Sequence, residues 1–276
     1  MREAAEPRTG LAANSGGGGA EGAARRPVSV AIVARNESAR IGACLDSVSW
    51  ADEIIVLDSG SEDDTREICR ARGAKVLGQS WEGYSAQKNL AAGEARHPWI
   101  LSLDADEVVS APLRERILEV LAADGPADGY RLPRKNIFFG KWLRHGDHWP
   151  DYQIRLFRKG RGRFNGKLVH ESVEVDGVVA DLTEPLEHYS YDNIEDFFAR
   201  QLRYAALAAG ELHSKGRSPG AGDFLFRPLW RFIKGYVLKS GWRDGQEGFI
   251  ASAGYAYYVF MRTAFLWERR RGRETT

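Results

Sequence analysis

Two aspartates one residue apart, Asp104 and Asp106, follow directly on the apolar run Trp99-Ile100-Leu101-Ser102-Leu103. On extended backbone, residues i and i+2 share a face. Two carboxylates on one face repel each other unless a cation lies between or near them. Oxygen ligands with open positions suit Mg²⁺ or Mn²⁺, with the phosphates of a substrate completing the coordination. Acidic residues also often open a helix after a strand, and residues 108–121 read as helical, so the pair takes its meaning from its neighbours. Asp58 closes a second apolar run, Glu53-Ile54-Ile55-Val56-Leu57, and is followed by Ser59-Gly60. A carboxylate in that position accepts hydrogen bonds from a sugar hydroxyl or a base N–H. It could instead cap the next helix, but Ser61 and Asp63 can do that equally well. Asn36-Glu37 follows a third run, Val28-Ser29-Val30-Ala31-Ile32-Val33, with Ser38 available as a cap.

The elements that must position these residues alternate. Residues 28–33, 53–57, 74–77 and 99–103 read as short strands; 39–50, a segment starting at 61–65, and 84–95 read as helices. Ile41, Leu45 and Val48 fall on one helical stripe. Strand alternating with helix predicts βαβ units and a parallel sheet. Ligands of such sheets sit at the carboxyl ends of the strands, so the clusters at 35–37, 58–60 and 104–107 converge on one crevice. Residues 1–27, with the run Gly16-Gly17-Gly18-Gly19, show no apolar period and read as a flexible tail. No apolar stretch suited to a signal peptide follows the basic positions there. The glycine run lacks both a preceding strand and a GK[ST] ending, which excludes a phosphate loop.

Taken together, these motifs resemble family 2 glycosyltransferases. The resemblance rests on Val30-Ala31-Ile32-Val33-Ala34-Arg35-Asn36-Glu37, on Ile54-Ile55-Val56-Leu57-Asp58-Ser59-Gly60-Ser61 with Asp64-Thr65, on Gln87-Lys88-Asn89 and on Asp104-Ala105-Asp106, in that order over residues 28–109. Further on, Arg155-Leu156-Phe157-Arg158, Val169-His170-Glu171, His188-Tyr189-Ser190 and Gly241-Trp242-Arg243-Asp244-Gly245 are similar to the branch that adds glucose to the lipopolysaccharide inner core. The resemblance implies an α/β chain of GT-A fold: a Rossmann-like, mostly parallel sheet flanked by helices, with a C-terminal helical extension. It implies an inverting enzyme that moves a sugar from a nucleotide-sugar donor, such as UDP-glucose or a similar hexose donor, to a saccharide or lipid-linked saccharide acceptor. By position it gives Asn36, Glu37 and Asp58 the nucleoside, with Asp58 on the uracil edge, and sets Lys88 near the base or diphosphate. Asp104 would contact the ribose or, indirectly, the metal, and Asp106 would bind a divalent Mg or Mn ion directly. Many members carry Arg where this chain has Lys88, which turns a planar fork into a point charge.

The chemistry agrees with those assignments. Breaking a sugar–phosphate bond puts negative charge on the leaving diphosphate, which a divalent cation stabilises. The acceptor hydroxyl must lose a proton, so a general base is needed. Inversion needs no enzyme nucleophile, and none is signalled. The base must come from the second half, where Glu171, Asp151, Asp147 and His170 are candidates. Glu171 is favoured, with His170 beside it as a donor to phosphate or acceptor, although the family more often shows an acidic pair in this stretch. His145 and His148 flank Asp147 in a Trp-rich loop (Trp142, Trp149), read as an acceptor-binding loop rather than a metal cluster.

The expected organisation is a tail over 1–27, a catalytic domain over 28–195 with a nucleotide-sugar half (28–109) and an acceptor half (110–195), and a helical extension over 196–276. In residues 224–240, Arg227, Arg231 and Lys234 recur at i, i+4, i+7, and Phe226, Leu229, Trp230, Ile233 and Val237 fall opposite them. That pattern predicts a basic amphipathic helix on an anionic membrane surface, with Arg269-Arg270-Arg271 and Arg273 adding charge. The second stretch, 249–267, is apolar on most sides and is expected to pack inward. The composition excludes other classes. With 39 Lys and Arg against 38 Asp and Glu, no global field attracts nucleic acid. Cys44 and Cys69 have no zinc or disulfide spacing and suit a reducing compartment, so the expected location is cytoplasmic, peripheral on the inner face of the cytoplasmic membrane. No stretch reaches the ~18–20 apolar residues that cross a bilayer. A haloacid-dehalogenase-like phosphatase would carry its DxD after the first strand, not the fourth. A nucleotidyltransferase would show a Gly-rich basic loop where Ala34-Arg35-Asn36-Glu37 stands. A nucleotide-sugar binder without transfer activity would lack the metal pair.

Overall fold

The computed structural model describes residues 25–166 and 172–274. Four strands with β-branched, apolar sequences form the parallel half of the main sheet: β1 (Val28–Ala34), β2 (Glu53–Asp58), β3 (Lys75–Gly78) and β4 (Trp99–Asp104), in the order β3-β2-β1-β4. Helices α1 (Ile41–Ser47), α2 (Thr65–Ala71) and α3 (Tyr84–Gly93) make the crossovers. Both faces of these strands are covered, which explains their continuous apolar runs. The sheet continues through β8 (Asp151–Arg158), β6 (Gly129–Phe138), β12 (Leu186–Tyr191) and β5 (Glu107–Val109), with β7 (Lys141–Trp142) and β11 (Val179–Asp181) on β6. The pairs β4–β8 and β8–β6 are antiparallel, while β6–β12 and β6–β11 are parallel. This is the expected α/β class with a mostly parallel sheet in its first half. A separate hairpin pairs β9 (Gly162–Phe164) with β10 (Val173–Val175).

Several boundaries differ from the expectation. Order begins before Val28: Arg25 Nη1 lies 2.6 Å from Asp52, and the Arg26 N–H donates to the Leu121 carbonyl at 2.9 Å. The rest of the expected tail, 1–24, lies outside the described residues. The helix expected over 108–121 starts later, as α4 (Ala111–Ala123), because Val108 and Val109 belong to β5, whose partner β12 is remote in sequence. Ser110 Oγ then caps α4 by accepting the Leu113 N–H, and Pro112 stands in the first turn. The first helix is also shorter than 39–50 and ends at Ser47.

Helix α5 (Ile194–Ser214) opens on an Asn193 cap whose Oδ1 accepts the Asp196 N–H at 2.8 Å. It packs along α7 (Gly245–Glu274). Gly254 of α7 lets the helices close: a Cβ there would come 2.1 Å from the ring of the buried Phe197. Phe197 also meets Phe138, Tyr191 and Tyr255 with ring centroids 4.7–5.9 Å apart, so one aromatic cluster roots the helical extension on β6. Between them runs α6 (Phe226–Ile233), which widens into a π turn over Lys234–Leu238. Asp244 pins the start of α7 to the loop after β7, because its Oδ2 accepts the N–H groups of Arg144 and His145. Among the described residues no helix is long and apolar enough to cross a membrane.

Candidate active site

Strand register brings the three predicted clusters together. Ala34 pairs with Asp58 and Val33 with Asp104, so the carboxyl ends of β1, β2 and β4 finish level. Asp58 is buried and fully engaged. Its Oδ1 accepts the N–H groups of Gly60 (3.2 Å) and Ser61 (3.0 Å), Ser61 Oγ donates to Oδ2, and Arg66 Nε lies 2.7 Å from Oδ1. Ser61 Oγ in turn accepts the Asn36 N–H at 2.9 Å. Asn36 adopts a left-handed conformation (φ 55°), one that Asn tolerates better than most residues, and its Oδ1 accepts the Glu62 N–H. Asp58 and Asn36 therefore tie the first two loops to each other.

Glu37 is half-buried beside a cleft of ≈ 210 Å³ walled also by Arg40, Asp192, Asp196 and Arg200. Burial, and next the negative charge of Asp106, push its carboxyl up to about 7 against the opposing pull of Arg40 and Arg200. The Asp106 contribution reflects how closely the ends of the first and fourth strands approach.

Below the crevice lies a chain of ion pairs. Lys88, on α3 and buried, places Nζ 2.6 Å from Asp104 Oδ1 and 5.4 Å from the centre of the Phe164 ring. Arg155, on β8 and also buried, donates from Nη2 to Asp104 Oδ2 and Glu107 Oε1, both at 2.6 Å. Glu107, wholly buried, accepts the Asp104 N–H through Oε2 and lies 3.7 Å from Arg134. Arg134 reaches on to Asp151 at 2.6 Å. Burial alone would raise the Asp104 carboxyl, but Lys88 and Arg155 outweigh it and hold it far below the ordinary carboxylate value. Asp104 is thus a fixed negative charge.

Asp106 faces differently. His188 faces it, with Nε2 3.5 Å from Oδ2. His188 arrives from β12, where it pairs with Glu107 on one side and Asn136 on the other. The Asn136 amide donates Nδ2–H to the His148 carbonyl and to Asp151, which leaves Oδ1 to receive Nδ1–H of His188 at 2.7 Å. That tautomer aims the Nε2 lone pair at a carboxylate. Two acceptors so disposed require a cation between them, either a proton or a metal ion. Burial raises the Asp106 carboxyl, yet with a proton in place the positive charge of His188 and its hydrogen bond hold it below its usual value. An oxygen and a nitrogen donor suit a Mn²⁺ or Mg²⁺ ion that takes its other ligands from substrate phosphates and water. No group of three or more His, Cys, Asp or Glu that could hold a metal by itself occurs among the described residues.

The preferred base, Glu171, and its neighbour His170 lie outside the described residues. The described residues on either side of them are held firmly. Asn89, next to Lys88, accepts the Phe164 N–H at 2.8 Å and donates to its carbonyl at 3.1 Å, and Asn165 bonds Ser172 through backbone and side chain. The other candidates are engaged elsewhere. Asp151 accepts from Arg134, Gln153 and Asn136; burial raises its carboxyl, but Arg134 and these hydrogen bonds keep it ionised. Asp147 faces Lys239 at 3.4 Å and Lys234 at 3.9 Å.

The Trp-rich loop is packed rather than open. Trp142 and Trp149 meet edge to face at 5.1 Å, and the Arg144 guanidinium covers Trp142 at 4.0 Å. Burial and then Arg231 push the His148 imidazole down to about 4, whereas His145 Nδ1 binds Asp244 at 2.9 Å. The two histidines therefore serve separate partners. Sequence reasoning assigned no roles to Glu107, Arg134, Asn136, Arg155 or His188. The available signal was charge inside otherwise apolar strands, as in Gln153-Ile154-Arg155-Leu156-Phe157.

Known proteins resemble this chain in sequence. The family described as Glycosyl transferase family 2 matches residues 29–174. The chain is 30% identical over 250 residues to the lipopolysaccharide core biosynthesis glycosyltransferase LpsC of Rhizobium meliloti (strain 1021), covering 88% of this chain and 93% of that protein. An uncharacterized glycosyltransferase of Rickettsia bellii (strain RML369-C) is 31% identical over 259 residues, 88% of this chain and 87% of its own. Glucosyl-3-phosphoglycerate synthase from Mycobacterium tuberculosis, solved with Mn²⁺, uridine diphosphate and glucosyl-3-phosphoglycerate, aligns over 42% of this chain and 45% of that one at 27% identity, with a TM-score of 0.34. A likeness that slight carries no argument.

Proposed function

Because the chain belongs to glycosyl transferase family 2, we propose that it is a metal-dependent, inverting hexosyltransferase of lipopolysaccharide core assembly. Its donor is a nucleotide sugar of the UDP-glucose type, and its acceptor is a saccharide carried on lipid. The observation that carries this reading is the Asp106–His188 pair, an oxygen and a nitrogen donor 3.5 Å apart at the end of β4, level with the loops at 36–37 and 58–61. The relation to the LpsC protein supports the acceptor class.

In this reading residues 28–109 form the donor half, 110–195 the acceptor half and 196–276 an extension that meets the membrane. Asn36 and Glu37 line the nucleoside. Asp58 holds their loops in register and reaches the uracil edge once Arg66, which is partly exposed, swings aside. Lys88 and Asp104 meet the ribose and diphosphate. Asp106 and His188 would hold a Mg²⁺ or Mn²⁺ ion, which when bound neutralises charge on the diphosphate. Glu171 accepts the proton of the acceptor hydroxyl as its oxygen bonds to the anomeric carbon, and His170 orients phosphate or acceptor. The C1–O bond to phosphate breaks on the opposite face, and its electron pair leaves with the diphosphate, inverting the centre. The protein works in the cytoplasm, peripheral on the inner face of the cytoplasmic membrane.

The test is a panel of nucleotide sugars, each with and without Mn²⁺, scored for protection against thermal unfolding and for transfer to truncated lipopolysaccharide cores. One hexose donor should protect only with metal and should transfer. Protection by a nucleoside triphosphate, with pyrophosphate release and no glycosidic product, would replace this reading with nucleotidyl transfer.

A further inference from the structure

The segment joining α5 to α7 is built inside out for a solvated helix. Leu225, Phe226, Leu229 and Trp230 are 51–68% exposed, and Val237 and Leu238 continue the ridge beyond α6. The opposite side of the same segment is the one that packs. Phe232 stacks on Tyr236 at 5.3 Å, Phe249 meets both rings, and Gly235 is buried. Arg231 also turns inward, with its guanidinium 4.9 Å from the Tyr255 ring. The basic stripe expected from the sequence is therefore broken at its centre, because Arg231 is taken up by packing while the apolar side faces out. A soluble monomer rarely leaves so many large apolar side chains contiguous and uncovered.

Charge surrounds the ridge without entering it. Arg227, Lys234, Lys239 and Arg243 are exposed at its margins; Asp223 pairs with Arg227 and Asp147 faces the two lysines, while Asp244 and Glu247 at the start of α7 are taken up by His145 and Lys141. A cleft of ≈ 540 Å³, lined by Tyr236, Trp242, Gln246, Phe249 and Ile250, opens between the π turn and the start of α7. Trp and Phe flanked by Lys and Arg is the composition that partitions into an anionic lipid interface. Protein interfaces, by contrast, are depleted in lysine. A second copy would bring the same cations face to face.

We propose that residues 225–249 form a monolayer-insertion surface. The ridge of Leu225, Phe226, Leu229 and Trp230 enters the outer hydrocarbon of an anionic leaflet, the marginal cations meet headgroup phosphates, and the aromatic cleft takes up a lipid acyl chain. This deepens the proposed function, on which it rests for the reason an enzyme would sit there. It names the partner of the extension as the lipid surface itself.

The experiment uses the full chain with vesicles of phosphatidylglycerol or phosphatidylcholine and no nucleotide sugar, so that its outcome does not depend on catalysis. Sedimentation should show binding to phosphatidylglycerol that weakens as salt rises, and acyl chains brominated near the headgroup should quench tryptophan fluorescence. Leu229→Ser with Trp230→Ser should lower the partition coefficient ~10-fold or more while the melting curve stays unchanged, since both side chains are solvent-exposed. Lys234→Gln with Lys239→Gln should weaken binding and flatten its salt dependence. Both double variants should retain wild-type transfer to a soluble acceptor fragment. Absence of quenching, or binding unaffected by the ridge variant, overturns the proposal. So does a dimer seen by light scattering that the ridge variant abolishes, because the ridge would then be a self-interface.

Discussion

Replacing Arg155 by Met would remove the guanidinium that bridges Asp104 and Glu107 while keeping much of the side-chain volume. In the wild-type protein Nη2 lies 2.6 Å from both carboxylates, and neither Arg155 nor Glu107 is appreciably exposed. Losing one partner of a buried pair costs about 3–5 kcal/mol, most of it the penalty of an uncompensated charge. Lys88 still holds Asp104 at 2.6 Å, but Glu107 keeps only Arg134 at 3.7 Å, so the lower half of that range applies. With a urea dependence of about 2–3 kcal/mol per molar, the unfolding midpoint should drop by ~1–2 M at pH 8. The sign of the pH dependence follows from the charges. In the wild type Asp104 is held far below its ordinary value, so its stabilisation is complete above the unfolded carboxylate range and does not change between pH 5 and 8. In the variant the two carboxyls repel, their proton affinity rises, and a proton bound at pH 5 relieves part of the strain. The deficit against wild type should therefore shrink on acidification, and adding Glu107→Gln should recover about half of it at pH 8. A deficit below ~1 kcal/mol, or one equal at pH 5 and pH 8, would refute the buried-network argument.

Three further outcomes are expected. Asp106→Ala should abolish metal-dependent donor binding and lower transfer at least ~10²-fold with the fold intact, checked by titration with Mn²⁺ and by circular dichroism. Glu171→Gln should lower turnover ~10²-fold with donor affinity nearly unchanged; collapse of donor binding instead would make Glu171 a ligand contact and move the search for the base elsewhere. Glu37 is raised from 4.5 to about 7, so the fold favours its neutral form, and its penalty sets in above 4.5, grows as pH climbs towards 7 and is complete above that value. Glu37→Gln should therefore raise stability at pH 8 relative to pH 5 by ~1–3 kcal/mol, the upper end being the full shift and the lower end allowing for solvent around a side chain that is 27% exposed. The groups acting on Glu37 are Asp106, Arg40, Arg200 and Asp196, so an Asp106→Ala background should reduce the effect.

What the sequence made legible follows from how local each signal was. The strands β1, β2 and β4 are short β-branched runs closed by polar residues, and three loops after parallel strands must meet at one edge. The sequence pattern therefore brings Asp58, Asp104 and Asp106 to one edge. Lys88 on α3 apart, the partners were not legible, because they come from strands added in mixed orientation after residue 128. Nothing local says that His188 will pair opposite Glu107, or that Arg155 will sit under Asp104, since β-pairing between remote segments leaves no mark in either one. The amphipathic segment failed for another reason. Its helical period shows which residues share a side but not which side packs, and Arg231 settled that by stacking on Tyr255 from α7.

That same arginine stands at the end of a continuous path through the molecule. Asp106 faces His188, His188 donates to Asn136, and Asn136 donates to the His148 carbonyl. The His148 ring lies 5.6 Å from Tyr255, on which Arg231 rests. Each step is a hydrogen bond or a ring contact between elements that are themselves paired or packed, so α6 has little freedom to move relative to the crevice. An enzyme whose acceptor is anchored in lipid, as proposed for this chain, has to hold its reacting centre at one height above the bilayer. A surface helix on a loose linker would let that height fluctuate by several ångströms. Rooting α6 through Tyr255 and Phe197 onto β6, the strand that also positions His188, gives the ridge and the site a common rigid frame.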